Sequence, residues 1–147
     1  MRPVYASNTH LPDLNAQTGA FVSQLCFGMP DQIERFCSMA VFHGDQMVAG
    51  TLFHSWQPDS GVIELTSAST DRRWLTKPVV RAMFHMAFGM IGAQLVALRV
   101  SERNAGMVAI AQRFGFQGTL IPRLRGRDES EWIFTLSDDD WRASRWS

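Results

Sequence analysis

The sequence predicts a mixed α/β (α+β) domain in which helices flank a mostly antiparallel central sheet. Three observations carry that expectation. Apolar residues recur at helical spacing in three separate segments. Between the first and second lie three short runs of β-propensity, joined by the turns Gly44-Asp45 and Pro58-Asp59-Ser60-Gly61. A further strand separates the second helical segment from the third. It completes a strand–helix–strand unit, which demands a parallel pair within an otherwise antiparallel sheet.

The elements follow in order. Residues 11–27 form the first predicted helix, with Leu14, Phe21, Val22 and Leu25 on one face and Gly28-Met29-Pro30 to stop it. A short helix is also expected around residues 32–36. Residues 38–43, 47–56 and 62–67 read as an antiparallel meander. Residues 78–91 carry Val80, Met83, Phe84, Ala87 and Ile91 at i, i+3, i+4 spacing, with Thr76 as N-cap and Pro78 in the first turn. A branched strand spans residues 94–100. A helix at residues 104–114 buries Met107, Ile110, Ala111 and Phe114 and stops at Gly115. Strands at 118–121 and 131–136 flank a charged loop, and the segment holding Trp141 and Trp146 reads as a tail docked through its tryptophans or exposing them to a partner.

Bulk composition narrows the class. With 46% hydrophobic and 19% charged residues over 147 positions, the chain reads as one globular domain spanning residues 1–147. Lys+Arg and Asp+Glu are 14 each, so no global charge argues for nucleic acid or an anionic membrane. The most apolar stretch, residues 83–98, is broken by His85, Gly89, Gly92 and Gln94 and is too short to span a bilayer. Residues 1–10 show no secretory pattern. Cys26 and Cys37 lack metal-ligand spacing and read as reduced, buried thiols of a cytoplasmic compartment. His10, His43, His54 and His85 have no metal-site spacing either, so no metal is expected.

The loop joining the third meander strand to the long helix runs Ser69-Thr70-Asp71-Arg72-Arg73-Trp74-Leu75-Thr76-Lys77. A helix N-terminus with unpaired N–H groups attracts anions, and Arg72, Arg73 and Lys77 add charge. A diphosphate suits that combination; the alternative is a surface loop with solvated cations.

Here the chain resembles the GNAT superfamily of N-acetyltransferases. The resemblance is carried by the order of elements and by the runs Met47 to Trp56, Gly61-Val62-Ile63-Glu64-Leu65 and Arg73-Trp74-Leu75-Thr76-Lys77. Asn104 followed by Arg113-Phe114-Gly115-Phe116 adds to it. The Trp-Leu-Thr-Lys loop is similar to that of a phage-associated subset. The resemblance implies acetyl-CoA as cofactor, contacted by Thr66, Ser67, Ala68 and Ser69 on the strand, by the loop from Arg72 through Lys77, and by Asn104. It departs from the family in two respects: no glycine lies between Thr70 and Lys77, and the usual late tyrosine acid is missing, the one tyrosine being Tyr5.

Acetyl transfer to an amine needs a base, donors to polarise the thioester carbonyl and an acid for the leaving thiolate. Glu64, within an apolar strand, is the expected base, its pKa raised by desolvation; pairing with an arginine, or facing solvent at a splayed strand edge, is the alternative. N–H groups around Ala68 and Ser69 are the expected donors, and Ser101 or solvent the expected acid. His54 and His85 are weaker candidates, each more often a plain hydrogen-bonded residue. Asn104 suits an N-cap as well as a cofactor contact, and Trp74 a loop anchor. The run Arg123-Leu124-Arg125-Gly126-Arg127 is followed by Asp128 and Glu129, so a solvated hairpin loop is expected, with a grip on an acidic substrate or nucleic acid as the alternative.

Two functions are therefore expected to compete. One is an acetyl-CoA-dependent N-acetyltransferase acting on an amine in the cytoplasm. The other is a catalytically weak GNAT-fold binding or assembly module, phage-encoded and partnered by a virion or host protein, or by a second copy of itself.

Overall fold

A computed structural model describes residues 1–147. Seven strands form one sheet in the order β1-β2-β3-β4-β5-β7-β6. They are β1 (Arg2–Ala6), β2 (Phe36–His43), β3 (Gln46–Gln57), β4 (Val62–Ser69), β5 (Leu95–Ser101), β6 (Gln117–Ile121) and β7 (Glu131–Ser137). The helices are α1 (Pro12–Phe27), α2 (Lys77–Phe84), α3 (Ala105–Arg113) and α4 (Asp138–Ala143). Every neighbouring pair is antiparallel except β4 and β5, which are parallel across the α2 crossover. The expected mixed sheet is thus present.

Alternation along the strands divides the core between two faces. Ile63 and Leu65 of β4, Val96, Leu98 and Val100 of β5, and Phe134 and Leu136 of β7 join Val79, Val80, Met83 and Phe84 of α2 in one buried cluster. The other face of β2, β3 and β4 is covered by α1. That helix approaches closely because glycine faces it. A Cβ on Gly50 would lie 2.8 Å from Thr18 Cγ2 and 2.9 Å from Val22 Cγ2. Asn15, buried on α1, is held by the Ser38 hydroxyl, which donates to its Oδ1 at 2.6 Å.

Five expectations need correction. Residues 32–36 are not helical; the chain turns there and Phe36 opens β2. The long helix is not a single α-helix: after Phe84 it widens into a π-helical segment, His85–Ile91, closed by Gly92 at φ 86°. The wider turn keeps Phe84 and Phe88 stacked on the core with ring centroids 5.9 Å apart. Strand β1 was not expected; it pairs with β2 from Arg2↔Phe42 to Ala6↔Ser38. The C-terminal tail contains α4, capped by the Ser137 hydroxyl, which accepts from Asp140 N. Trp141 is buried against Phe84, centroids 4.5 Å apart, and Trp146 meets Phe114 edge-on at 4.9 Å. Lastly, Cys26 is exposed rather than buried and Cys37 is half-buried; both are free thiols. No helix is long and apolar enough to cross a membrane.

Because Gly50 admits α1 so closely, Gly50→Ala is expected to force a shift of Thr18 or Val22. The cost should be about 1–3 kcal/mol, read as a lower denaturant midpoint at unchanged slope.

Candidate active site

The parallel pairing of β4 and β5 is brief: Val62↔Leu95, Ile63↔Val96 and Glu64↔Ala97. Beyond it β4 stays with β3 as far as Ser69, and β5 stays with β7 as far as Ser101. The two strands therefore part, and the gap opens into a cleft of about 680 Å³. The C-terminal halves of both strands wall it, together with Asn104 and Met107 from the start of α3 and Leu25, Phe27 and Ile33 from the end of α1 and the following loop.

Glu64 sits at the point of divergence. It is half-buried, lines the cleft and makes no ion pair, so the arginine-paired alternative is not realised, whereas its place at a splayed, solvent-open strand edge fits the other alternative. Its cross-strand partner is His54. The His54 ring is held at both nitrogens, Nε2 lying 2.8 Å from Thr66 Oγ1 and Nδ1 2.9 Å from Ser55 Oγ. Burial pushes its pKa below the ordinary histidine value, and the nearby Glu64 carboxylate opposes that shift without reversing it. His54 is neutral at neutral pH and lies beside an unpaired carboxylate in an open cleft. Both ring bonds fit the plain hydrogen-bonded residue expected of it.

The remaining predicted residues divide into two groups. Thr66, Ser67, Ala68, Ser69, Ser101 and Asn104 line the cleft with Glu64. Several of their polar groups already have partners. Ser67 Oγ is 2.8 Å from Thr51 Oγ1, and Asn104 Oδ1 caps α3 by accepting from Met107 N at 3.2 Å. The Ser101 hydroxyl donates to Glu129, so its proton is committed to a carboxylate.

The loop residues Arg72, Arg73, Trp74, Leu75, Thr76 and Lys77 do not line this cleft. Trp74 is buried in the core and, with Leu75, borders a separate apolar void of about 30 Å³ against α3. Thr76 Oγ1 caps α2 by accepting from Val79 N at 3.4 Å. The Asp71 carboxylate accepts from the backbone N–H of Arg73 at 2.9 Å and from its guanidinium at 2.9 and 3.1 Å. Those bonds hold the Asp71 pKa down to about 2. The loop therefore neutralises one of its own cations, leaving Arg72 and Lys77 exposed and without ion pairs.

Two charged residues of the cleft, Arg99 and Glu131, escaped the sequence reading, and Arg125, from the basic run of the β6–β7 loop, joins them. Glu131, at the start of β7, is buried and accepts from Arg99 Nε at 2.6 Å and from Arg125 Nε. Arg99 interrupts the apolar run Leu95–Ser101, which was a visible signal. Its partner on another strand was not visible. Among His, Cys, Asp and Glu side chains no cluster is suited to a metal ion.

No family profile matches this chain, and no curated protein matches it in sequence. Solved structures do match in shape. A spermidine N-acetyltransferase chimera from Vibrio cholerae and human sequences superposes with a TM-score of 0.74 at 8% identity, over 96% of this chain and 99% of that one. The Salmonella typhimurium protein yncA, assigned as an acetyltransferase and solved with its cofactor acetyl-CoA, gives 0.67 at 12% identity over 92% of each chain. A Chromobacterium violaceum chain assigned to acetyltransferases of the GNAT family gives 0.61 at 25% identity over 73% of this chain. The present chain spans only 61–64% of the length of that protein and of two other acetyltransferase structures. What is shared is the GNAT fold.

The lowered pKa of His54 has a consequence for stability. Unfolded chains take up this proton near pH ~6.5, the native state only at lower pH, so the unfolded state binds more protons as pH falls below that value. The stabilising contribution is present above pH ~6.5 and is lost as the pH drops toward the native pKa. Denaturant midpoints measured from pH 7.5 to 5.5 should fall more steeply for the wild type than for His54→Gln.

Proposed function

We propose that this GNAT-fold chain is an acetyl-CoA-dependent N-acetyltransferase acting on an amine. The observation that carries the reading is the cleft at the β4–β5 divergence, with the unpaired Glu64 in its wall.

The acyl end of acetyl-CoA suits this cleft, which is open, half polar and walled by strand edges that have no partner across the gap. Beyond Glu64 the β5-facing edge of β4, from Leu65 to Ser69, has backbone groups free of strand pairing on that side, where N–H donors can polarise a carbonyl. Asn104 and Met107 border the same space from α3. Arg72 and Lys77 are the cations available to the diphosphate, since Asp71 takes Arg73. Bound acetyl-CoA supplies an activated acyl group.

The chain's own residues supply the rest. Glu64 accepts a proton from the incoming ammonium, directly or through a water in the cleft. His54, neutral and fixed through Thr66 and Ser55, lies across from it and adds no competing positive charge to the carboxylate. Ser101 returns a proton only if its bond to Glu129 opens; otherwise water entering the cleft does so. Tyr5 cannot substitute, because its hydroxyl donates to Ala82 O on α2, away from the cleft.

A second reading is favoured by one specific observation. The β4–α2 loop binds its own carboxylate, and Trp74 fills the space beneath it. A chain whose diphosphate loop is closed in this way suits a catalytically weak binding or assembly module, phage-encoded and partnered by a virion or host protein.

The two readings diverge on acetyl-CoA titrated calorimetrically. The enzyme reading expects saturable binding weakened by Lys77→Ala and by Asn104→Ala, and tightened by Asp71→Ala, which frees Arg73. It also expects Glu64→Gln to lower kcat by about 10²–10⁴, followed as thiol release over an amine panel. Absence of saturable binding at millimolar ligand would sink it. Binding without thiol release, indifferent to Glu64→Gln, would leave the module.

A further inference from the structure

We infer that Arg99 and Arg125 form a carboxylate-binding site in the cleft wall, so that the acceptor is an amine that carries its own carboxylate, such as an amino acid. The word acceptor rests on the acetyl-transfer reading. The anion site does not.

Glu131 is buried, its side chain only 3% exposed, and an isolated carboxylate there would be strongly disfavoured. It is neutralised by two guanidiniums, Arg99 on Oε1 and Arg125 on Oε2. One anion against two cations leaves an excess positive charge. Neither arginine has another carboxylate partner. The neighbouring Arg103 adds nothing to this excess, because Glu129 takes it at 3.1 Å.

The geometry is that of a preformed site. Both arginines bind Glu131 through Nε, so their terminal N–H groups remain to be satisfied. Their side chains are 49% and 38% exposed, and both line the cleft. Guanidiniums pinned at Nε lose little further freedom when a carboxylate arrives, and their planar N–H pairs match its two oxygens. The field of Arg125 reaches across the cleft to Cys26, where it opposes the upward push that desolvation gives the thiol.

The site shares its cleft with Glu64. Glu64 registers with Ala97, and Arg99 follows two residues later on the same face of β5. The spacing is roughly 7 Å along the strand and 5 Å across, a distance that a Glu and an Arg side chain close to the dimensions of one small molecule. An ammonium facing Glu64 and a carboxylate facing Arg99 would both be satisfied. Leu25, Phe27 and Ile33 form an apolar lip to the same cleft, which favours an aliphatic side chain. A polyamine would instead set its remaining ammonium groups against uncompensated guanidinium charge.

The probes are leucine, leucinamide and inorganic phosphate, titrated against the full chain and followed by calorimetry and by the Nε resonances of Arg99 and Arg125. Leucine is expected to bind at least tenfold more tightly than leucinamide and to shift both resonances. Arg99→Gln is expected to abolish that ratio; should the variant unfold, the wild-type comparison of acid with amide decides alone. Equal affinity for acid and amide would overturn the site, as would phosphate binding as tightly as leucine. Thiol release from acetyl-CoA separates the two claims. Turnover of leucine and leucinamide alike removes the carboxylate site and keeps acetyl transfer, whereas selective leucine binding without turnover keeps the site and removes the transfer.

Discussion

The cleft and the charges around it depend on where the parallel pairing of β4 and β5 stops. The closed end of that pairing is bolted. Gln94 N donates to Gly61 O at 2.8 Å, Leu95 N donates to the same oxygen at 3.2 Å, and Asp138 N closes on Gln94 O at 3.0 Å. Three residue pairs later the ladder ends. Neither strand is left unsupported, because β3 carries β4 and β7 carries β5 to their ends. Each half of the sheet can then follow its own twist, and a gap between backbones costs little when each strand keeps its outer hydrogen bonds.

The same event decides what each side chain in the cleft experiences. Leu65 and Leu98 continue into the apolar core below. Glu64, on the opposite face, meets solvent and the imidazole of His54. The cleft is consequently apolar at its base and lip, and charged along two walls.

Two carboxylates that each meet arginine show how environment separates similar contacts. Asp71 is partly exposed and bound to a neighbour two residues away, so its bonds shape a loop and contribute little to stability in water. Glu131 is buried and meets arginines from β5 and from the β6–β7 loop, tying three segments together around one desolvated charge. Removing either guanidinium there would leave a buried charge half satisfied. The local pair organises a turn, whereas the long-range one builds a wall of the site.

The sequence by itself determined the alternation of periods. Short runs of β-propensity between tight turns marked β2, β3 and β4, apolar residues three and four apart marked α1, α2 and α3, and Asn104 and Thr76 marked caps that the hydrogen bonds bear out. Such signals are local, since a strand or helix must bury one face whatever its neighbours are. Strand β1 and helix α4 escaped because Arg2–Ala6 carries a proline and no turn signal before it, and the run Asp138-Asp139-Asp140 reads as a solvated tail. Glu64 was legible because a charge in an apolar strand is conspicuous. Only the tertiary structure decided the rest: that His54 stands across from Glu64, that Asp71 turns the cation-rich loop on itself, that Ser101 serves Glu129, and that Arg99 and Arg125 converge on Glu131. Those meetings join residues from different strands and loops. Register and splay bring them together, and neither is written in the spacing of any one segment.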